Sequence, residues 1–300
     1  MLKVIDLSYE SNGIEVKNIE FEVEQGDFYI IFGIDDAGKT EIINAVMGIA
    51  QIYKGDILYK EENIRKLHGK ERSSIRFVPD GILLLKEKAK DYFRSVQRAY
   101  KMKDLELLEE LVEYFEIDTK ESLMNMTYEQ NKLVAIIGAI MTSPELLILD
   151  EPFNFLTVTM TKKLLQFLDK LNKNGTTIIL SLEHYEDAQD MGTRFLYLKE
   201  GEVVKIGDID SNKTRFKSIT IKNASAKHLE KVFGVPAVVE DDSCTYFSDL
   251  EWNEIGDVLK EYDIKDKEIF IKMARMEDVL DFFYANEEVV EEKVEEGEKV

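Results

Sequence analysis

The stretch FYIIFGIDDAGKTEII, at residues 28–43, constrains this chain more than any other. It contains the frame G-x-x-x-x-G-K-T from Gly33 to Thr40, after the apolar run Phe28–Phe32 and before a helix-like segment. In a strand–loop–helix unit of this kind, successive backbone N–H groups and the helix N-terminus face phosphate groups. The sequence therefore predicts a phosphate-binding loop inside an α/β fold.

Composition limits the classes of protein and partner. The chain has 300 residues, 44% of them hydrophobic, which is enough for one large domain and a smaller one. Its net charge of -21 argues against nucleic acid or bare anionic lipid as a partner, because both attract Lys and Arg clusters. Cys244 is the only cysteine, so no intramolecular disulfide or multi-cysteine metal site is expected. No apolar run approaches the ~20 residues of a membrane span, and no signal peptide is recognised.

A second motif, ELLILDEP, follows in the right order. It places Asp150 and Glu151 at the C-terminal end of a buried apolar strand, the edge at which open α/β sheets bind ligands. Lys39 is expected to reach the terminal phosphates, and Thr40 and Asp150 to hold Mg²⁺. Glu151 is expected to orient or deprotonate an attacking water. The two motifs together predict nucleotide hydrolysis.

The rest of the chain alternates strand-like and helix-like segments. A charged segment with helical apolar spacing lies at 87–118, and later strands flank a helix that ends near Gly175. This alternation predicts a mainly parallel sheet with crossover helices. The pattern changes near Ser211, and residues 216–285 have the order β-α-β-β-α-β, followed by a helix in MEDVLDFFYAN.

Over roughly residues 1–210 the sequence resembles the ATP-binding cassette subunits of ABC transporters. GIDDAGKT is similar to the Walker A motif, LLILDEP to the extended Walker B motif, and MTYEQ, at 126–130, stands at the signature sequence. The helical segment lies where this family has one. The C-terminal part resembles the extension on ATPase subunits of bacterial drug, antibiotic and peptide export systems.

The resemblance implies an α/β P-loop NTPase cassette at 1–210. Its sheet is mixed and mainly parallel, with an N-terminal antiparallel β part and a helical subdomain at about 81–143. A small α+β ferredoxin-like domain is expected at 211–285 and an acidic disordered tail at 286–300.

ATP and Mg²⁺ are the implied cofactors. The residues expected to bind the nucleotide are Gly33, Ile34, Asp35, Asp36, Ala37, Gly38, Lys39, Thr40 and Glu41. Tyr9 is a candidate for stacking on adenine, with an ordinary strand aromatic as the alternative. The candidate metal ligands are Thr40, Asp150 and Asp80, which replaces the common Gln of the Q-loop. The predicted catalytic residues are Lys39, Glu151 and His184.

Several positions depart from the family pattern. In the family two cassettes face each other, and each ATP lies between the Walker motifs of one and the signature of the other. Tyr128 and Glu129 replace the signature glycines, and Thr157 replaces the usual Asp of the D-loop. The switch histidine aligns with Glu183, and His184 is one place late. These changes predict slow turnover in a homodimer.

Two carboxylates lie inside the phosphate loop. Asp35 stands where related loops often have Asn or Asp, and Asp36 stands where Gly is usual. Asp tolerates a left-handed backbone better than most residues. Both carboxylates are expected to face away from the nucleotide.

The leading hypothesis is an ATPase subunit of a multi-subunit ABC exporter for a peptide, drug or lipid-like substrate. It would work with a separate transmembrane permease and a second cassette, on the cytoplasmic side of the membrane as a peripheral subunit. The run Ile82 to Leu85 is either its contact surface or plain core. The alternative is a degenerate cassette that binds ATP and dimerises with little hydrolysis, as the non-catalytic half of a heterodimer. A phosphate-loop kinase or translation-type cassette fits the motif order less well.

Overall fold

A computed structural model of the chain describes residues 1–11, 13–34, 36–183, 191–208, 216–222, 238–240, 243–248, 250–261, 268–274 and 278. These residues form two compact units. The first unit ends with Asp208, and the second contains the described residues from 216 onward. Three predicted segments fall largely or wholly outside the described residues. They are the first helix of the β-α-β-β-α-β order, expected in ASAKHLEKVFG, the helix in MEDVLDFFYAN and the acidic tail.

A six-stranded sheet forms the centre of the first unit. Its strand order is β10-β9-β3-β8-β7-β6, and all neighbours are parallel except the edge pair β9 and β10. The strands are β3 (Phe28–Phe32), β6 (Ile75–Val78), β7 (Leu146–Asp150), β8 (Thr177–Leu182), β9 (Arg194–Lys199) and β10 (Glu202–Asp208). Every residue of β3, β7 and β8 is buried, as expected for parallel strands covered on both faces. The predicted mainly parallel sheet is confirmed.

A smaller antiparallel sheet has the order β2-β1-β4-β5. Its strands are β1 (Leu2–Ser11), β2 (Ile14–Val23), β4 (Lys54–Tyr59) and β5 (Glu62–Asn63). The two sheets share one hydrophobic core, to which β1 contributes Leu2 and Val4 and β3 contributes Tyr29 and Ile31. The predicted N-terminal antiparallel β part is therefore present.

Helices connect and cover the sheets of the first unit. They are α1 (Lys39–Val46), α2 (Gly69–Ser73), α3 (Ala89–Ala99), α4 (Glu106–Tyr114), α5 (Tyr128–Ile140) and α6 (Val158–Lys173), with a short 3-10 helix at Ile64–Lys66. The helices α3 and α4 confirm the helical segment predicted at 87–118. Helix α5 begins with a capping box, in which Thr127 and Gln130 bind each other's backbone N–H. It contacts β6 and β7, while α6 contacts β8.

The second unit contains an antiparallel sheet of order β12-β13-β11-β14. Its elements are β11 (Lys217–Lys222), β12 (Val238–Glu240), β13 (Ser243–Ser248), α7 (Trp252–Glu261) and β14 (Ile269–Met273). Ile219 and Tyr246 pack against Ile255 and Leu259 of α7 in a core of its own. These strands and α7 follow the predicted order of a split βαβ unit. Within the described parts of the chain, no helix is long and apolar enough to cross a membrane.

Candidate functional site

Two glycines fix the path of the phosphate loop. Gly38 precedes α1 with φ 99°, and a Cβ added there would lie 2.8 Å from Val16 Cγ1. A Cβ on Gly33 would lie 2.4 Å from the carbonyl oxygen of Leu198. Both positions therefore need glycine, for the backbone conformation at the first and for the close approach of β9 at the second. This is the physical basis of the frame in the sequence.

Lys39 lies at the start of α1 and turns back over the loop. Its Nζ donates to the carbonyl oxygens of Gly33 at 2.5 Å and of Ile34 at 3.4 Å. The same Nζ lies 3.2 Å from Glu151 Oε1, and both side chains are largely buried. Burial raises the pKa of Glu151, and the Lys39 ammonium opposes that shift. The site thus pairs Lys39, a cation that can bind phosphate, with Glu151, a carboxylate that can accept a proton.

Asp150 is held from both sides at the C-terminal end of β7. The Thr40 hydroxyl donates to Asp150 Oδ2 at 2.9 Å, and the Ser181 hydroxyl donates to Oδ1. The backbone N–H of Glu151 donates to Ser181 Oγ at 2.9 Å. Glu151 itself has φ 42°, a left-handed conformation that is strained for a residue with a side chain. The parallel register of β7 and β8, with Asp150 opposite Ser181, produces this arrangement.

These residues surround a cavity of about 360 Å³. It is lined by Ile14, Asp36, Ala37, Gly38, Lys39, Thr40, Glu41, Asp80, Glu151, Asn154 and Glu183. Asp80 accepts a hydrogen bond from Asn154 Nδ2 at 3.2 Å. Asp36 adopts φ 62°, the left-handed conformation expected of it. That its carboxylate faces away from the phosphate site stays a prediction.

The donor set suits Mg²⁺ bound together with phosphate. Thr40 and Asp150 supply a hydroxyl and a carboxylate, the hard oxygen ligands that Mg²⁺ prefers, and Asp80 adds a carboxylate to the cavity. In the part of the chain that the structure describes, no group of three or more His, Cys, Asp or Glu residues could bind a metal ion by itself. Mg²⁺ commonly binds through one or two protein ligands and substrate phosphates, so this set fits.

The expected adenine contact at Tyr9 is wrong. Tyr9 is only 1% exposed, and its hydroxyl donates to the backbone carbonyl of Glu41. The register of β1 against β2 shifts on both sides of Leu7, so Leu7, Ser8 and Tyr9 are all buried instead of alternating. Tyr9 therefore packs in the core beneath α1 and has no surface for a nucleotide base.

Of the two candidates for the switch position, the structure describes Glu183. Glu183 follows β8 and lines the cavity. His184 lies outside the described residues, as does Asp35 of the phosphate loop. The catalytic role of His184 and the nucleotide contact of Asp35 therefore stay predictions.

The altered signature and the altered D-loop contact each other. Glu129 Oε2 accepts a hydrogen bond of 2.6 Å from the backbone N–H of Thr157, which caps α6. Beside this bond the rings of Tyr128 and Phe155 lie 5.4 Å apart, and both are at least half exposed. The two departures are thus one structural feature, which we call the α5–α6 clasp.

Sequence reasoning missed three polar residues at this site. Lys132 Nζ donates to the backbone carbonyl of Asp150 at 3.3 Å, Ser181 holds the Asp150 carboxylate, and Asn154 holds Asp80. Lys132 and Ser181 share a signal that could have found them. Ser181 is the polar residue near the end of the buried strand TIILSL, and Lys132 directly precedes the apolar run LVAIIGAI.

Comparison with known proteins agrees with this geometry. Residues 16–154 match the family model described as ABC transporter. Together with the fold and the paired Walker residues, this match makes the first unit similar to the ATP-binding cassettes of ABC transporters. Cassettes of this class bind ATP with Mg²⁺, hydrolyse it and dimerise beside transmembrane permease subunits.

Curated relatives are import proteins. The molybdate/tungstate import ATP-binding protein WtpC of Pyrococcus horikoshii is 28% identical over 70% of this chain, which spans 62% of that protein's length. The phosphonates import ATP-binding protein PhnC of Staphylococcus epidermidis is 26% identical over 68% of this chain and 87% of its own length.

Solved structures share the fold. The ATP binding subunit of an ABC transporter gives a TM-score of 0.64 at 23% identity, over 71% of this chain and 92% of that one. The dimeric cassette MJ0796 bound to ADP and Pi gives 0.61 at 21% identity, over 70% of this chain and 99% of that one. A bacterial Atm1-family ABC exporter gives 0.62 at 16% identity, over 69% of this chain and 38% of that one.

Proposed function

We propose that this chain is the ATP-binding subunit of an ABC transporter and that it hydrolyses ATP to drive transport. The observation that carries the proposal is the pairing of Lys39 with Glu151 in one cavity and of Thr40, on the wall of that cavity, with Asp150 behind it. It brings together the phosphate-binding, metal-binding and base functions predicted from two motifs about 110 residues apart.

The ion pair between Lys39 and Glu151 suggests how these residues act in turn. A terminal phosphate entering the cavity competes with Glu151 for the Lys39 ammonium, because both are anionic acceptors. Glu151 is then free to accept a proton from a water beside the phosphate. Its buried position, which raises the pKa of the carboxyl group, suits it to that task.

The partners follow from the class and from one exposed apolar segment. Leu84 is 85% exposed and Leu85 is 40% exposed, so these two are surface and not plain core. This supports a contact with a separate permease on the cytoplasmic face of the membrane. The curated relatives are named for import, which favours import over the export predicted from the sequence. The solute follows from neither.

A second candidate function is supported by the α5–α6 clasp. Glu129 and Tyr128 put an anion and a ring where glycines of an ordinary signature approach the facing nucleotide. In a dimer with a different cassette, this chain's Walker residues and the other cassette's signature would form an active site. The second site would contain this chain's altered signature and would hydrolyse ATP weakly.

Hydrolysis by wild type and Glu151→Gln tests the proposal. Both proteins should bind ATP, and loss of the general base should lower phosphate release by about 100-fold or more. Lys162→Ala, which changes an exposed side chain on α6, is the control for handling and charge.

Equal background rates in wild type and Glu151→Gln, with ATP still bound, would favour the weakly hydrolysing half-cassette for the isolated chain. Recovery of activity on mixing with a second cassette would then assign the Walker half to catalysis. Failure of the wild type to bind ATP would overturn both candidate functions.

A further inference from the structure

Lys132 is a buried lysine in the middle of the protein. It lies in α5, where every residue from Asn131 to Ile140 is buried, and its own side chain is 0% exposed. An ammonium group removed from water is strongly destabilising unless it is paired and hydrogen-bonded. A lysine in this place therefore needs a role that an apolar side chain could not fill.

The contacts of Lys132 join two segments that form the nucleotide cavity. Its Nζ donates to the carbonyl oxygen of Pro79 at 3.0 Å and to that of Asp150 at 3.3 Å. The same Nζ lies 3.7 Å from Asp80 Oδ1. Pro79 and Asp80 follow β6, and Asp150 ends β7. The ammonium thus ties together two adjacent strand ends, one carrying each predicted metal-binding carboxylate.

The Lys132 ammonium also bears on the net charge of the cavity. Among the described residues that line it are five acidic side chains and one lysine, Lys39. The acidic residues are Asp36, Glu41, Asp80, Glu151 and Glu183. A polyphosphate entering such a site meets strong repulsion, which nearby positive charge helps the loop's backbone N–H groups to offset. Lys132 lies directly behind Asp80 and Asp150 and adds the second ammonium.

We propose that Lys132 is a positioning residue that fixes Asp80 and Asp150 and adjusts the charge of the cavity so that it accepts ATP. The inference rests on the proposed function, because it concerns the same nucleotide.

An electrostatic role of Lys132 predicts an effect on ATP binding that a purely structural lysine would not produce. Mg²⁺ cancels roughly half of the charge of ATP, so an electrostatic role acts about twice as strongly, in free energy, on free ATP as on MgATP. Removing the Lys132 charge should therefore weaken free ATP about tenfold and MgATP about threefold. The ratio of the dissociation constant of free ATP to that of MgATP should therefore rise about threefold.

The experiment measures both dissociation constants on the full chain, with ATP in EDTA and with ATP in excess MgCl₂. Lys132→Gln removes the charge and keeps an N–H donor, on a side chain that is one bond shorter. Lys162→Gln makes the same change at an exposed site on α6 that does not line the cavity. The melting temperature of each variant is recorded beside the binding curves.

A raised ratio in Lys132→Gln, with Lys162→Gln at the wild-type ratio, supports the proposal. An unchanged ratio overturns it, whether the two affinities fall together or stay the same. Should Lys132→Gln not fold, Lys132→Met removes the same charge on a side chain of similar length, and the ratio should again rise. A wild-type chain that binds neither form of ATP overturns the proposed function and this inference with it.

Discussion

At the residue scale, Glu41 is a residue of the site whose buried charge lowers the stability of the fold. This carboxylate lies in the first turn of α1, is only 5% exposed and lines the cavity. Burial raises its pKa, and Asp150 and Asp36 add to that shift. The folded state therefore binds the proton more tightly than the unfolded chain, and ionised Glu41 lowers the free energy of unfolding above the folded pKa.

We predict that Glu41→Gln raises the free energy of unfolding at neutral pH. The gain should shrink as the pH falls through the folded pKa and should be lost below the ordinary value of 4.5, where Glu41 is protonated in both states. Urea unfolding at several pH values measures it. Glu20→Gln, at an exposed position of β2, is the matched control, and an equal gain there would refute the assignment to Glu41.

A second residue-scale prediction concerns Tyr9, whose hydroxyl donates to the carbonyl of Glu41 in the core. Tyr9→Phe should lower the free energy of unfolding by about 1 kcal/mol, since one buried hydrogen bond is lost. The dissociation constant of MgATP should stay within about twofold of wild type. Tyr59→Phe removes a comparable bond to Ser74, so a selective loss of ATP binding in Tyr9→Phe would restore the stacking role.

The predicted site residues that the structure brings together are those whose positions are set by the local chain. Lys39 and Thr40 follow Gly38 directly, and Asp150 and Glu151 follow an apolar strand, so the backbone alone brings them to the sheet edge. Tyr9 could not be placed in this way, because a register shift in β1 decides which face it occupies. The face of a strand residue follows from alternation only where no bulge intervenes.

At the element scale, the α5–α6 clasp joins the first turn of one helix to the N-terminus of another. Glu129 belongs to α5 and Thr157 caps α6, 28 residues further on. Neither helix alone reveals the bond, because it depends on how α5 and α6 pack. The sequence marked both positions as departures but did not show that they contact each other.

We predict that Glu129→Ala breaks the clasp and Glu129→Gln keeps it, because Gln retains an oxygen acceptor for the Thr157 N–H. Loss of the contact should cost about 0.5–2 kcal/mol, the usual range for a helix cap. Native-state amide exchange at Thr157 measures it. Faster exchange in the Ala variant and unchanged exchange in the Gln variant are expected, whereas equal exchange in all three proteins would show that the bond does not form in solution.

Element types were predicted better than the links between elements. The segment at 87–118 has helical apolar spacing and forms α3 and α4, and the run ELLILDEP forms β7. Lys132 was missed because helical spacing alone cannot tell whether a lysine in an apolar helix faces solvent or the ends of β6 and β7. That information lies in the packing of α5 against the sheet.

At the scale of the whole molecule, the chain combines a cassette unit with a second unit that has a core of its own. The proposed transporter subunit would act with a membrane-spanning partner. We predict that affinity purification of the full chain from detergent-solubilised membranes recovers a polytopic membrane protein. Leu84→Ser should reduce that recovery and leave ATP binding unchanged, because Leu84 is exposed and does not line the cavity. Recovery of ribosomes instead would contradict the transporter assignment.

The central claim is that the Walker half of this cassette is intact despite the acidic residues around it. Equilibrium binding of MgATP to wild type, Lys39→Ala and the exposed-site control Lys66→Ala tests it most directly. Lys39→Ala should weaken binding at least about tenfold, because it removes the ammonium that the loop holds at the phosphate site. Lys66→Ala should bind as wild type does. Equal affinity in all three proteins would contradict the claim.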